Sequence, residues 1–198
     1  MSHDSFRGLQ YANAMTPWFN IRKAAQVAAY FAIAEGGSIN VLKLTKLIYL
    51  ADRGAMERHG SPILNDHLVS MNHGPVDSMT LDCINGVESE NPAWSSFIGG
   101  RAGYQVGAAA GVSPDNLDEL SRAEVDILRT TWGQFGHMDK YEIRDYTHAH
   151  CPEWEDPNGS SSTIPYDRVF KYLQKKDPTR LRDRVQEEKE IDEFFASL

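Results

Sequence analysis

Cysteine is scarce in this sequence: Cys83 and Cys151 are the whole complement of its 198 residues. Two thiols cannot build a disulfide framework, so the fold has to rest on a packed core, and the usage fits a reducing cytoplasm. Long apolar runs are missing too. The longest is a few residues, against the ~18 that a bilayer-crossing helix needs. No secretory signal precedes the first charged helix, so neither a membrane-spanning nor an exported form is expected, and the expected compartment is the cytoplasm. Positive charge is in deficit, with 20 Lys and Arg against 28 Asp and Glu and a net charge of −8. That balance weighs against nonspecific polyanion binding and leaves proteins and small molecules as partners. What remains is ordinary: 41% hydrophobic and 24% charged residues exclude a disordered or collagen-like chain and suffice for one domain, or two very small ones.

The organisation along the chain is mainly helical. Residues 1–18 lack periodicity and read as an N-terminal arm, with Pro17 stopping any helix before it. From Asn20, a stripe of Ile21, Ala24, Ala25, Ala28, Phe31 and Ala32 predicts a helix ending at Gly36-Gly37, its alanines implying close helix–helix approach. A second helix is capped by Ser38 or Asn40 and runs through Val41, Leu44, Leu47, Ile48, Ala51 and Ala55 to Gly60, completing a helical hairpin. HLVSMN, at 67–72, alternates as a strand should, Gly74-Pro75 signals a turn, and helical propensity returns over Val76–Val87. A second strand, AGYQV at 102–106, could pair with the first as a small antiparallel ribbon. Ser121 and Glu124 form a capping box ahead of Val125, Leu128, Trp132 and Phe135. Gly136 closes that helix, and Asp139 with Glu142 caps another carrying Ile143 and Tyr146, which Cys151-Pro152 breaks. EDPNGSSST reads as a surface loop, Pro165–Leu173 as a helix, and residues 176–198 as a C-terminal helical extension. Leu181, Val185, Ile191, Phe194, Phe195 and Leu198 form its narrow apolar stripe. The expected fold is thus mainly α, a compact helical domain over residues 19–175 with a small antiparallel β-ribbon and a C-terminal amphipathic helix.

Catalytic signatures are as sparse as cysteine. The glycine-rich segment 91–111 matches neither a P-loop nor a GxGxxG opening a helix, and no GxSxG elbow occurs. His148 with His150 or Cys151 could supply two zinc ligands, completed by His73, His137 or Cys83, but no CxxC or HExxH supports the set. The preferred reading is one structural histidine packed near Trp154, its ring N–H donated to a backbone carbonyl, with the others solvated. Cys151 beside histidines resembles a nucleophile, yet a small buried thiol is the better account of a cysteine preceding proline at a helix end. Neither an enzyme nor a cofactor is expected. Lys43, Lys46, Arg53 and Arg58 would suit a groove-reading helix, but Asp52 and Glu57 interleave with them, which favours a solvated face with internal ion pairs. A DNA-binding regulator is therefore the alternative reading, and nucleic acid is not the expected partner. Core packing accounts for Trp132, whereas Trp18 and Trp94 lie in irregular segments and are candidate anchors for a partner.

Five motifs in order carry a resemblance: LKLTKLIYLAD at 42–52, HGSPI at 59–63, MNHGPV at 71–76, LSRAE at 120–124, and Thr147-His148 with Pro152 and Trp154. Across about residues 20 to 175 the chain resembles the SocA-like, or Panacea, domain of bacterial and phage antitoxins. It departs from the family's pattern at His73, where a tyrosine or phenylalanine is common, and in the one-residue looser Pro152-Glu153-Trp154. The resemblance implies a non-catalytic antitoxin of a type II pair that binds a cognate toxin protein. It neutralises the toxin or prepares it for removal, in which case a cellular protease is a second partner. The motif positions carried over as candidate site residues are Tyr49, Asp52, His73, Gly74, Pro75 and His148. Gly74-Pro75 is expected to fix the turn between strand and helix, and Asp52 to pair or cap nearby. The apolar terminus from Phe194 either docks on the core or a partner or offers a protease its handle. The acidic balance suggests that the partner is basic.

Overall fold

The structure, a computed structural model, describes residues 16–197. Most of the arm expected over residues 1–18, and Leu198 of the expected C-terminal stripe, therefore lie outside the described residues. α1 (Ile21–Ala34) starts where the Asn20 side chain accepts from the Lys23 N–H at 2.9 Å, satisfying an amide that the first turn leaves free. Ala24, Ala25, Ala28, Ala29 and Ala32 are all buried, and so are Gln26 and Val27, so the helix is covered on more than the one stripe its periodicity suggests. Its small side chains let neighbours approach from several sides. After two glycines with φ of +102° and +106°, a three-residue strand β1 (Ser38–Asn40) leads into α2 (Val41–His59), capped by Asn40 and closed by left-handed Gly60. α2 is the axis of the molecule, with most of its residues from Val41 to Met56 buried.

The β-structure differs from the single ribbon expected. β2 (Leu68–Met71) and β3 (Gly74–Asp77) form an antiparallel hairpin in which Ser70 faces Pro75 and Val69 faces Val76. Gly74 takes φ +95°, so Asn72-His73 make the turn and Pro75 is drawn into a strand rather than opening a helix. Proline is tolerated there because β3 is an edge strand, paired only with β2, and an edge strand can forgo one donor. The helix expected from Val76 consequently begins at Ser78, as α3 (Ser78–Ile84), followed by the short α4 (Pro92–Ser95). β4 (Gln105–Gly107) does not pair with β2; it pairs antiparallel with β1, Ile39 opposite Val106.

α5 (Arg122–Phe135) and α6 (Lys140–His150) both begin with the capping boxes read from the sequence, the Ser121 N–H donating to Glu124 at 2.7 Å and the Asp139 N–H to Glu142 at 2.8 Å. The buried face of α5 is Ile127, Leu128, Thr131 and Phe135, so Leu128 and Phe135 of the expected stripe are buried while Val125 and Trp132 are only half-buried, because both α1 and α2 press on the helix; Trp132 lies over Phe31. β5 (Ser162–Thr163), within the expected surface loop, adds to β2 and leads to α7 (Tyr166–Tyr172) and α8 (Pro178–Ala196). α8 lies on α7 but buries only Val185 and Lys189. Leu181 and Val185 of the expected stripe pack on the core, but Ile191, Phe194 and Phe195 are 54%, 60% and 66% exposed, so its C-terminal end does not dock there. At 100° per residue those three fall on the side of the helix away from Val185 and Lys189. The described fold is mainly α with two small antiparallel sheets, and no described helix is long and apolar enough to cross a membrane.

Gly74 supplies a test of how tightly the hairpin is seated. A Cβ there would stand 2.7 Å from Thr147 Oγ1 and 3.1 Å from Lys46 Nζ, whereas at Gly86, with φ +103°, it would meet nothing within 4 Å. Gly86→Ala should lose roughly 1–2 kcal/mol from backbone strain alone, and Gly74→Ala about 2–4 kcal/mol from strain plus overlap. Urea titrations of the two variants measure the difference, and equal losses would contradict the close seating.

Candidate functional site

The motif residues converge beneath the hairpin. Lys46, Tyr49 and Arg53 recur at helical spacing on α2, turning one face toward β3 and the segment that follows α6. Glu153 is fully buried; its Oε1 accepts from the Tyr49 hydroxyl at 2.8 Å and from Arg53 Nε at 2.7 Å. The ion pair is needed, because a carboxylate taken out of water without a cation would be strongly destabilising. Burial, with Glu153 alongside, pushes the Tyr49 phenol well above its ordinary value, so it donates and stays protonated. Lys46, also fully buried, donates to the Pro75 carbonyl at 2.7 Å. Burial lowers its pKa to about 7, against the raising effect of Cys151 and Asp77.

On the other side of α2, three buried aspartates hold the chain that wraps around it. Asp52 Oδ1 accepts from the Ile63 and Leu64 amides at 2.9 and 3.2 Å, fixing the step after Gly60. Asp66 accepts from the Met79 and Thr80 amides at 2.9 and 2.8 Å and from the Thr80 hydroxyl at 2.7 Å, anchoring the start of α3. Neither Asp77 oxygen, nor Asp52 Oδ2, has a partner when both groups are ionised. Burial and the neighbouring carboxylates raise Asp77 well above the carboxylate range, so the protonated Asp77 donates to Asp52 and one proton holds the pair.

The hairpin is locked from outside by the end of α6. The His148 ring stacks on Trp154 at 4.2 Å with 15° between planes, and Trp154 Nε1 donates to the Met71 carbonyl at 2.9 Å. The expected histidine beside Trp154 is thus His148, but the indole, not the imidazole, makes the bond to a carbonyl. His148 Nε2 is buried without a protein partner, and burial followed by Lys46 lowers its pKa, which keeps the ring neutral.

The other predicted residues divide. Tyr49, Asp52, Gly74, Pro75 and His148 come together around the hairpin, while His73 is exposed at its tip. Gly74-Pro75 opens β3 after a turn that joins strand to strand, not strand to helix. Trp94 is 3% exposed inside α4 and cannot anchor a partner. Trp18 is half-buried, with His67 stacked at 5.1 Å and Lys189 Nζ 4.2 Å from its ring centre, so its ring is taken up within the chain. The basic face of α2 carries the expected internal pairs but is solvated only at Arg58: Lys43 binds Glu35 at 2.6 Å and the Gly136 carbonyl at 2.8 Å, Lys46 is buried, and Arg53 is paired with Glu153, so the helix has no lysine free to read a groove. Cys83 and Cys151 are buried thiols, each pushed up to about 12 chiefly by burial. Among the described residues no group of three or more His, Cys, Asp or Glu is arranged to hold a metal.

Sequence reasoning missed Glu153, Asp66 and Asp77. The available signal was a charge inside a motif, between Pro152 and Trp154 or directly after GPV, where an apolar neighbourhood forces a partner. It also gave no sign of a cleft of about 430 Å³ between α2, α5 and α6. Leu50, Ile127 and Phe135 form its apolar lining, and Arg53, Tyr146 and His150 its polar one, so the cleft backs directly onto the Glu153 network.

The carboxyl pair predicts a pH dependence. The folded pKa of Asp52 is raised to about 7 and that of Asp77 well above its ordinary value, so their contribution is fully present below the unfolded value near 3.8 and is lost as pH rises through the folded values. Lys46, depressed, acts oppositely above about pH 7. Between pH 5 and 7, Asp77→Asn should flatten the decline of unfolding free energy, whose slope for one linked proton is at most about 1.4 kcal/mol per pH unit. Identical slopes in denaturation of the two proteins would refute the shared proton.

Neither the curated proteins nor the solved structures include a match to this chain. The family model described as antitoxin SocA-like, Panacea domain, matches residues 44–155, over half of the chain, from the middle of the first motif on α2 through Trp154. That span contains Lys46, Tyr49, the three aspartates, the hairpin and Glu153, and the chain therefore belongs to the SocA-like antitoxin family of Panacea-domain proteins.

Proposed function

We propose that this protein is the antitoxin of a bacterial or phage type II toxin–antitoxin pair and neutralises a cognate toxin by direct protein–protein binding, without catalysis. The observation that carries the reading is the family match over residues 44–155. The chemistry of the motif accords with it: Lys46 holds the hairpin against α2, Tyr49 holds Glu153 and Asp52 holds the step after Gly60, so these groups are engaged inside the fold. Contact with a toxin then falls to the outer surface that this network shapes, including the exposed hairpin tip at His73 and the cleft between α2, α5 and α6. A net charge of −8 favours a basic toxin, through complementary fields that speed encounter.

Co-expression with the product of the adjacent gene is the test. The neighbour alone should arrest growth, this chain should restore it, and affinity purification should recover the two together; a neighbour that neither binds nor poisons cells would overturn the reading. Delivery to a cellular protease is a separate step in the same proposal, favoured by the uncovered Phe194 and Phe195. Removing residues 194–198 should lengthen the half-life in cells, and an unchanged half-life removes the protease as a partner.

A further inference from the structure

Along α8, Arg180, Arg184, Glu187, Ile191 and Phe194 follow one another at alternating spacings of four and three residues, the repeat with which two helices pair along a seam. This stripe lies away from the core-facing Val185 and Lys189, and all five of its residues are exposed. Its two ends differ in charge. Arg180, Arg182 and Arg184 occupy the N-terminal half, where Asp183 pairs with Arg182, whereas Glu187, Glu188, Glu190, Asp192 and Glu193 crowd the C-terminal half, whose one base, Lys189, is buried against the core.

That arrangement opposes the helix dipole, which favours acids at the N-terminus and bases at the C-terminus; the first turn of α8 contains no acidic residue and the last no basic one. The charges therefore weaken the helix on its own account. A second α8 laid antiparallel reverses the effect, placing the arginines of each beside the acids of the other, which is the self-complementarity a two-fold interface requires. Antiparallel pairing leaves only Glu187, at the middle of the stripe, facing its own copy, whereas parallel pairing would set the whole acidic half against itself. A seat for the aromatic end is also present. An open groove of about 900 Å³ runs between the end of α2 and the start of α8, lined by Arg58, Gly60, Arg180, Leu181 and Arg184. Arg184 Nη2 is held by the Gly60 carbonyl at 2.6 Å. Guanidinium planes and arginine stems offer phenylalanine both cation–π contact and apolar cover.

We propose that two copies of this chain associate through α8 in antiparallel orientation, with Ile191, Phe194 and Phe195 of each seated in the Arg180–Arg184 groove of the other. Sedimentation of the full chain alone should show its mass rising with concentration from 22.2 kDa toward twice that value. Phe194→Ala with Phe195→Ala, both exposed and so harmless to the fold, should weaken the association by about tenfold or more. Arg180→Glu with Arg184→Glu, and separately Glu187→Lys with Glu190→Lys, should each weaken self-association. An equimolar mixture of these two variants should form a heterodimer tighter than either variant alone. A monomer at every concentration, a dimer indifferent to the phenylalanine pair, or a mixture no tighter than its components would overturn the proposal. The chain is tested without a toxin, so the outcome is independent of the antitoxin reading.

Discussion

The structure depends on one buried carboxylate. Glu153 lies in the short segment after α6, and without the Tyr49 hydroxyl and the Arg53 guanidinium its charge could not stay in the interior. Because both partners stand on α2, satisfying that charge pins the segment to the central helix. The pinning brings Trp154 over the hairpin, where its indole takes the Met71 carbonyl and its face takes His148. The hairpin is then held from two sides, by Lys46 beneath Pro75 and by the end of α6 beside Gly74.

The second polar layer uses a different device. Asp52 and Asp66 accept backbone amides from the loop after Gly60 and from the start of α3, so each acts as a splice between segments that no ladder joins. Asp77 brings a third carboxyl into the same volume, and the repulsion is relieved by a proton in place of a cation. Such a core has few alternative packings that leave every group satisfied. It therefore gives a firm platform for surface contacts.

Much of the secondary structure was legible. Asn20, Asn40, Ser121 and Asp139 announce their helices because a cap is a local event: the side chain bonds an amide two or three residues away. The motif residues were legible as a set, although as a set without geometry. The pairing of strands was not, since β1 and β4 are separated by more than sixty residues and each is only three residues long. Alternation over so short a segment says that a strand exists and is silent on its partner. On α2 the expected ion pairs formed, but the solvation expected of its basic residues did not, for a related reason. A charged residue reads as solvated until the structure supplies its partner, and Lys43 and Arg53 find theirs at Glu35 and Glu153. Trp94 is the mirror case, an aromatic in a weakly patterned segment that tertiary contacts close over.

The sequence by itself determined the helical class, the helix boundaries set by caps and glycines, and the ordered motifs that mark the family. Those properties follow from interactions within a turn or two of chain and from residue order. Only the tertiary structure decided that Glu153 completes the site, that three aspartates share one interior with Lys46 and Lys189 as the buried cations near them, and that the end of α8 is left uncovered. Each of these is a matter of desolvation, and whether a charge or a phenylalanine meets water depends on what distant segments bring against it.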